Sequence, residues 1–93
     1  ASFILPLRAD GLAHRDIRDN APYDLILANI LAGPLITLAP GIGTIAAPGA
    51  MIILSGLLDT QVRRVRSAYR RAGMVLTRHL SRNGWATLIL EKR

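Results

Sequence analysis

Ninety-three residues, 51% apolar, 19% charged and 4% aromatic, make one domain at most, with an aliphatic core and no compositional signature of disorder. The absence of cysteine excludes a disulfide scaffold, a thiolate metal site and a cysteine nucleophile; no signal-peptide pattern opens the chain, so a cytoplasmic protein is expected. The formal net charge is +6, and seven of the eleven arginines fall between Arg63 and Arg82; a solvated helix face is the preferred reading of that cluster, ahead of nucleic-acid contact.

Phe3–Leu7 reads as a strand, and Pro6, which cannot donate to a ladder, assigns it to a sheet edge. Ala1 is not a start methionine and the first segment is already apolar, so the chain is expected to be a piece of something longer. Residues 12–22, with His14 and Pro22 among charged side chains, read as a solvated connection.

Between Asp24 and Asp59 lie thirty-four residues without a charge. A membrane span needs about 20 apolar residues in an uninterrupted helix. Pro34, Pro40 and Pro48, with five glycines, break this run, so a buried strand–helix–strand unit fits better and no membrane is expected. Leu25–Ala28 and Met51–Leu54 are short apolar runs of the kind found in central parallel strands covered on both faces. Gly33-Pro34 opens the helix between them, Pro40 is expected to end or kink it, and Ala47-Pro48-Gly49-Ala50 turns the chain into the next strand.

After Ser55-Gly56, apolar Leu58, Val62, Val65, Tyr69 and Ala72 recur at helical spacing while arginines take the other positions, which predicts a surface helix. Asp59 or Ser55 can cap its start, and Gly73 supplies a left-handed terminating residue. Met74–Leu80 and Trp85–Leu90 flank Asn83-Gly84, the strongest short-range hairpin signal, so the last two strands are antiparallel and Trp85 is assigned to core packing. The predicted order is β, β, α, β, α, β, β.

The residue that asks about chemistry is Asn29, at the carboxyl end of a strand that passes at once into a helix, the position where open α/β sheets bind ligands. Its structural alternative is a helix cap. His14 and His79 have no companion at metal-ligand spacing, and Ser55 lacks the glycine pattern of a nucleophile elbow.

A chain that ends in parallel strand, helix and antiparallel hairpin is similar to the carboxyl half of the class I S-adenosylmethionine-dependent methyltransferases, a Rossmann-like α/β fold. The segments Tyr23-Asp24-Leu25-Ile26-Leu27-Ala28-Asn29-Ile30-Leu31-Ala32-Gly33-Pro34-Leu35, Leu54-Ser55-Gly56-Leu57-Leu58 and Gly84-Trp85-Ala86-Thr87-Leu88 resemble the ribosomal protein L-eleven methyltransferase family. The resemblance implies a sheet order of three, two, one, four, five, seven, six, with strands three to seven in this chain and Asn29 ending strand four. It further implies S-adenosylmethionine as cofactor, contacted by Asn29 and by Asp10 after strand three. A ribosomal protein would be the substrate, its amino group meeting Asn29, Ile30 and Leu31.

Two elements of the family pattern are missing: the glycine-rich loop after strand one and the acid after strand two. Residues 1–93 therefore read as one partial methyltransferase domain, expected to be inactive alone. Without strands one and two, either strand three pairs directly with strand four or two copies complete each other's sheets; a homodimer through unpaired sheet edges is the favoured outcome. The alternative function is a small basic module that binds nucleic acid or the ribosome through the Arg63–Arg71 helix face.

Overall fold

Tyr23-Asp24-Leu25-Ile26-Leu27-Ala28-Asn29 carries branched and long apolar residues, and it forms an interior strand of the sheet. The computed structural model describes residues 4–7 and 22–93. In chain order the elements are β1 (Ile4–Leu7), β2 (Tyr23–Asn29), α1 (Ala32–Ile45), β3 (Ala46–Leu58), a 3-10 turn (Asp59–Gln61), α2 (Val62–Arg71), β4 (Met74–Arg82) and β5 (Trp85–Lys92). This is the predicted order of elements.

The five strands form one sheet in the order β1-β2-β3-β5-β4. β1, β2 and β3 are parallel, and β5 pairs antiparallel with both β3 and β4. The last strand thus inserts between β3 and β4, as the resemblance implies for the final strands of the sheet. β1 lies directly against β2, with Ile4 opposite Leu25 and Leu7 opposite Ala28. Of the two expected outcomes for that edge, the single chain adopts direct pairing.

Alternation along the strands decides where the core sits. Ile26 and Ala28 of β2, Ile52 and Leu54 of β3, and Leu88 and Leu90 of β5 are buried in one cluster with Leu35, Ala39 and Ile42 of α1 and Val65 and Tyr69 of α2. Both helices therefore cover the same face. On the opposite face Leu27 and Met51 are exposed, and Leu25, Ile53 and Ile89 are half-buried. The expectation of strands covered on both faces is corrected here: among the described residues, no element covers that second face.

Six local expectations also change. α1 runs through Pro40 to Ile45. Proline removes one ladder N–H and crowds the carbonyl of the preceding turn, but Ala39, Ile42 and Ile45 bury on either side of it, so packing outweighs that cost. Thr44 Oγ1 donates to Pro40 O at 3.0 Å across that turn. β3 is longer than Met51–Leu54 at both ends, because Ala47–Ala50 is accommodated as an irregularity between the Tyr23–Ala46 and Leu25–Met51 pairs. A second irregularity at Ser55-Gly56 precedes the Leu57–Ala86 pair.

Leu58 belongs to β3, not to the apolar stripe of α2, and is 40% exposed. Trp85, opposite Leu58, is 53% exposed and is not a core residue. Ala86, Leu88 and Leu90 take the inward positions of β5, so the period of two turns Trp85 away from the helices.

Asp59 does not cap α2. Its N–H donates to Gly84 O at 2.9 Å, and its carboxylate Oδ2 accepts from Ser81 Oγ at 2.5 Å, tying the hairpin tip to the β3–α2 junction. Ser55 does not cap α2 either, since it lies within β3 and the helix has no side-chain cap. Asn83 (φ 53°) and Gly84 (φ 81°) form the predicted left-handed turn, with strand reaching to Arg82 before it. Gly73 (φ 89°) follows α2 as expected.

Candidate functional site

The site grows out of the register between β2 and β3. Asn29, the last residue of β2, pairs with Ser55 of β3, so both side chains belong to the carboxyl end of the parallel strands. The bend at Ile30 then carries the chain into α1, with Leu31 at the helix N-cap in extended conformation (φ −65°, ψ 158°). Leu31 O accepts the N–H of Leu35 at 3.0 Å. No side chain caps α1, which excludes the capping role for Asn29.

Gly56 holds this corner together. Its φ of +86° suits glycine, and a β-carbon there would lie 2.8 Å from Asn29 Oδ1, 3.0 Å from Ile30 O and 3.3 Å from Ile30 N. The Asn29-Ile30 segment thus lies directly against the Ser55-Gly56 backbone. The Asn29 side chain is exposed and makes no hydrogen bond to another described residue, while Ser55 beside it is partly buried. An uncharged amide and a hydroxyl, one unpaired and both next to open backbone, can orient a polar ligand without adding charge.

Of the residues singled out from sequence, Asn29, Ile30 and Leu31 fall at this corner, with Leu31 69% exposed and Ile30 buried in the core. Asp10 and His14 lie outside the described residues. The adjacency of Ser55-Gly56 to Asn29 was not legible in the sequence, which offered Ser55 only as a cap or a nucleophile. The Leu-Ser-Gly-Leu-Leu string was the available signal.

A second polar cluster sits past the end of β3. Asp59 Oδ1 faces His79 Nε2 at 3.6 Å, and Ser81 donates to the same carboxylate. The acid stands between the serine and the histidine, so the serine has no base and this is not a nucleophilic triad. Among the described residues, no group of three or more His, Cys, Asp or Glu side chains is arranged to hold a metal. No helix of the described residues is long and apolar enough to cross a membrane.

The family model described as ribosomal protein L11 methyltransferase (PrmA) matches residues 6–93. A ribosomal protein L11 methyltransferase of Caulobacter sp. (strain K31) is 51% identical over 86 residues, which cover 92% of this chain and 30% of the relative. The protein of the same name from Brucella suis (strain ATCC 23445 / NCTC 10510) is 46% identical over 91 residues, 98% of this chain and 32% of the relative. The chain therefore spans about a third of the length of these relatives.

Among solved structures, the ribosomal protein L11 methylase from Lactobacillus delbrueckii subsp. bulgaricus superposes with a TM-score of 0.70 at 27% identity, over 75% of this chain and 37% of that one. The antibiotic-resistance methyltransferase Kmr shares the fold alone, with a TM-score of 0.63 at 17% identity, over 92% of this chain and 56% of that one.

Proposed function

The chain belongs to the ribosomal protein L11 methyltransferase family, and from that premise we propose that it is the carboxyl half of an S-adenosylmethionine-dependent enzyme that methylates amino groups of a ribosomal protein. Within this reading the protein is cytoplasmic, and the 93 residues are inactive by themselves. The observation that carries the site is the close approach of Asn29 to Gly56: an exposed amide without a hydrogen-bond partner among the described residues, held against backbone that a β-carbon would fill. That corner fits a polar cofactor or acceptor at the carboxyl end of parallel strands.

The cofactor, when bound, supplies a methyl group on a sulfonium. Direct transfer to an amine depends on alignment of the two reactants more than on a proton relay. An acceptor lysine, with an ordinary pKa of about 10.4, must be neutral to react. Asn29 Oδ1 accepts a hydrogen bond from that amine and aims its lone pair, and the amide adds no charge that would favour the ammonium. Leu31, exposed beside it, supplies an apolar wall that disfavours the charged amine. Ile30 contributes its backbone. Asp10 is assigned to the cofactor's adenine end on the resemblance alone.

A homodimer through the open edges of the sheet belongs to the same reading. β1 already occupies the edge of β2, so the remaining edges are those of β1 and β4. Light scattering that returns a strict monomer at high concentration removes the dimer.

The site is tested by following backbone and side-chain amide resonances of the 93-residue chain during titration with S-adenosylmethionine. Shifts at Asn29, Gly56 and their neighbours, and at Asp10, are expected, and the Asn29→Ala variant abolishes those at the Asn29–Gly56 corner. Saturating cofactor that leaves Asn29 and Gly56 unmoved overturns the assignment. Labelled methyl transfer to a ribosomal protein by the 93-residue chain alone overturns the expectation of inactivity.

A further inference from the structure

The arginines of α2 do not stand as a uniform solvated face. Arg63, Arg66 and Arg70 recur at spacings of three and four residues and line one groove of about 510 Å³, whose other wall is His79 of the edge strand β4. Arg64 lies off this groove, and Arg71 lines a different one, between α1 and α2. All three groove arginines are exposed, and among the described residues none is paired with a carboxylate. The acid in the groove, Asp59, already takes the hydroxyl of Ser81 and faces His79, so it closes one end and does not neutralise the row. Along the helix the row spans about 10 Å, from seven residues at 1.5 Å each.

We propose that this groove binds the phosphodiester backbone of a nucleic acid. Three guanidiniums at successive helical turns present planar, bidentate donors to a polyanion with repeating phosphates. The groove's lining favours a polyanion over a protein partner: Val62 is its one apolar residue, and the smaller groove that Arg66 and Arg70 share with Val75 and Leu76, of about 200 Å³, adds no aromatic anchor. Polar, strongly positive surfaces are the mark of nucleic-acid contacts. The groove is lined by three guanidiniums, one imidazole and no amide, and the spacing of the guanidiniums along one helix matches repeating phosphates, so the proposed contact is with the backbone. The groove begins at Asp59, immediately after β3, and is separate from the Asn29–Gly56 corner. The proposal therefore does not depend on methyl transfer.

The test is fluorescence anisotropy of a labelled uridylate homopolymer titrated with the 93-residue chain at stepped salt concentrations. The R63E/R66E/R70E variant is compared with R64E/R71E/R78E, which changes the net charge equally at exposed positions outside the groove. Binding that weakens with salt is expected. Single strands contribute a log–log slope of about 0.7 per phosphate neutralised, so the groove variant loses about 2 from the slope while the control keeps it. R63Q/R66Q/R70Q, which cannot introduce new repulsion, gives the same loss. Circular dichroism confirms that each variant is folded. Three results overturn the proposal: no binding by the unmodified chain, equal losses in groove and control variants, or displacement of the RNA by poly-glutamate at matched charge, which assigns the groove to an acidic protein.

Discussion

Asn29 Oδ1 and Gly56 approach so closely that a β-carbon on the glycine would stand 2.8 Å from the amide oxygen. Gly56→Ala therefore meets two penalties: a left-handed φ of +86° and contact with Ile30 backbone atoms that cannot rotate away. The expected cost is about 2–4 kcal/mol in urea unfolding. Asn29→Ala alone, at an exposed position without a partner among the described residues, stays within about 0.5 kcal/mol. The double variant regains only part of the loss, because Ile30 O and N remain. A Gly56→Ala protein as stable as the original would show that the two strands do not meet at this distance.

Pro40 sits in the interior of α1 with its ring exposed. Alanine there restores an N–H to the helix ladder and removes the ring, so Pro40→Ala is expected to stabilise the protein by about 1–3 kcal/mol. The midpoint of thermal unfolding measures it. A loss of stability instead would mean that packing of α1 depends on a bend at this residue.

Tyr69 joins the helices: its buried hydroxyl donates to Leu35 O of α1 at 2.9 Å. Tyr69→Phe leaves the ring in place and removes this bond, at an expected cost of about 1 kcal/mol. Burial also pushes the phenol well above its ordinary value of 10.0. The unfolded chain releases this proton near the ordinary value while the folded chain retains it. The contribution to stability is full below that pH and falls as pH rises beyond it, by up to about 1.4 kcal/mol per pH unit. Urea midpoints followed upward from neutral pH should decline more steeply in the original protein than in Tyr69→Phe. Parallel curves would remove the linkage.

Much of this architecture was legible because it rests on local signals. Asn83-Gly84 specified its turn, and Gly73 ended α2. What escaped depends on relations between elements. Asn29 could be placed at a strand end, but its contact with Gly56 follows from the β2–β3 register and the irregularity after Leu54. Pro40 was expected to end or kink α1, and burial of Ala39, Ile42 and Ile45 overrode it. The arginines around α2 announced a charged helix, while the alignment of three of them with His79 needed β4 in place at the sheet edge.

Trp85 is the single tryptophan, so its fluorescence reports one place in the fold: the start of β5, opposite Leu58 and outside the cover of the helices. At 53% exposure its emission should be quenched by iodide in the native state nearly as well as in urea. Trp85→Ala should cost less than about 1 kcal/mol, against about 3–5 kcal/mol for a buried aromatic. The pair is informative because both neighbours across the strands, Leu58 and Arg82, are exposed as well. Protection from iodide that appears only at high protein concentration would mean that a second copy covers this open face of the sheet, an association distinct from pairing through the β1 and β4 edges. Protection at every concentration would mean that Trp85 packs against its own chain, and the solvent-facing assignment of this end of β5 would fall.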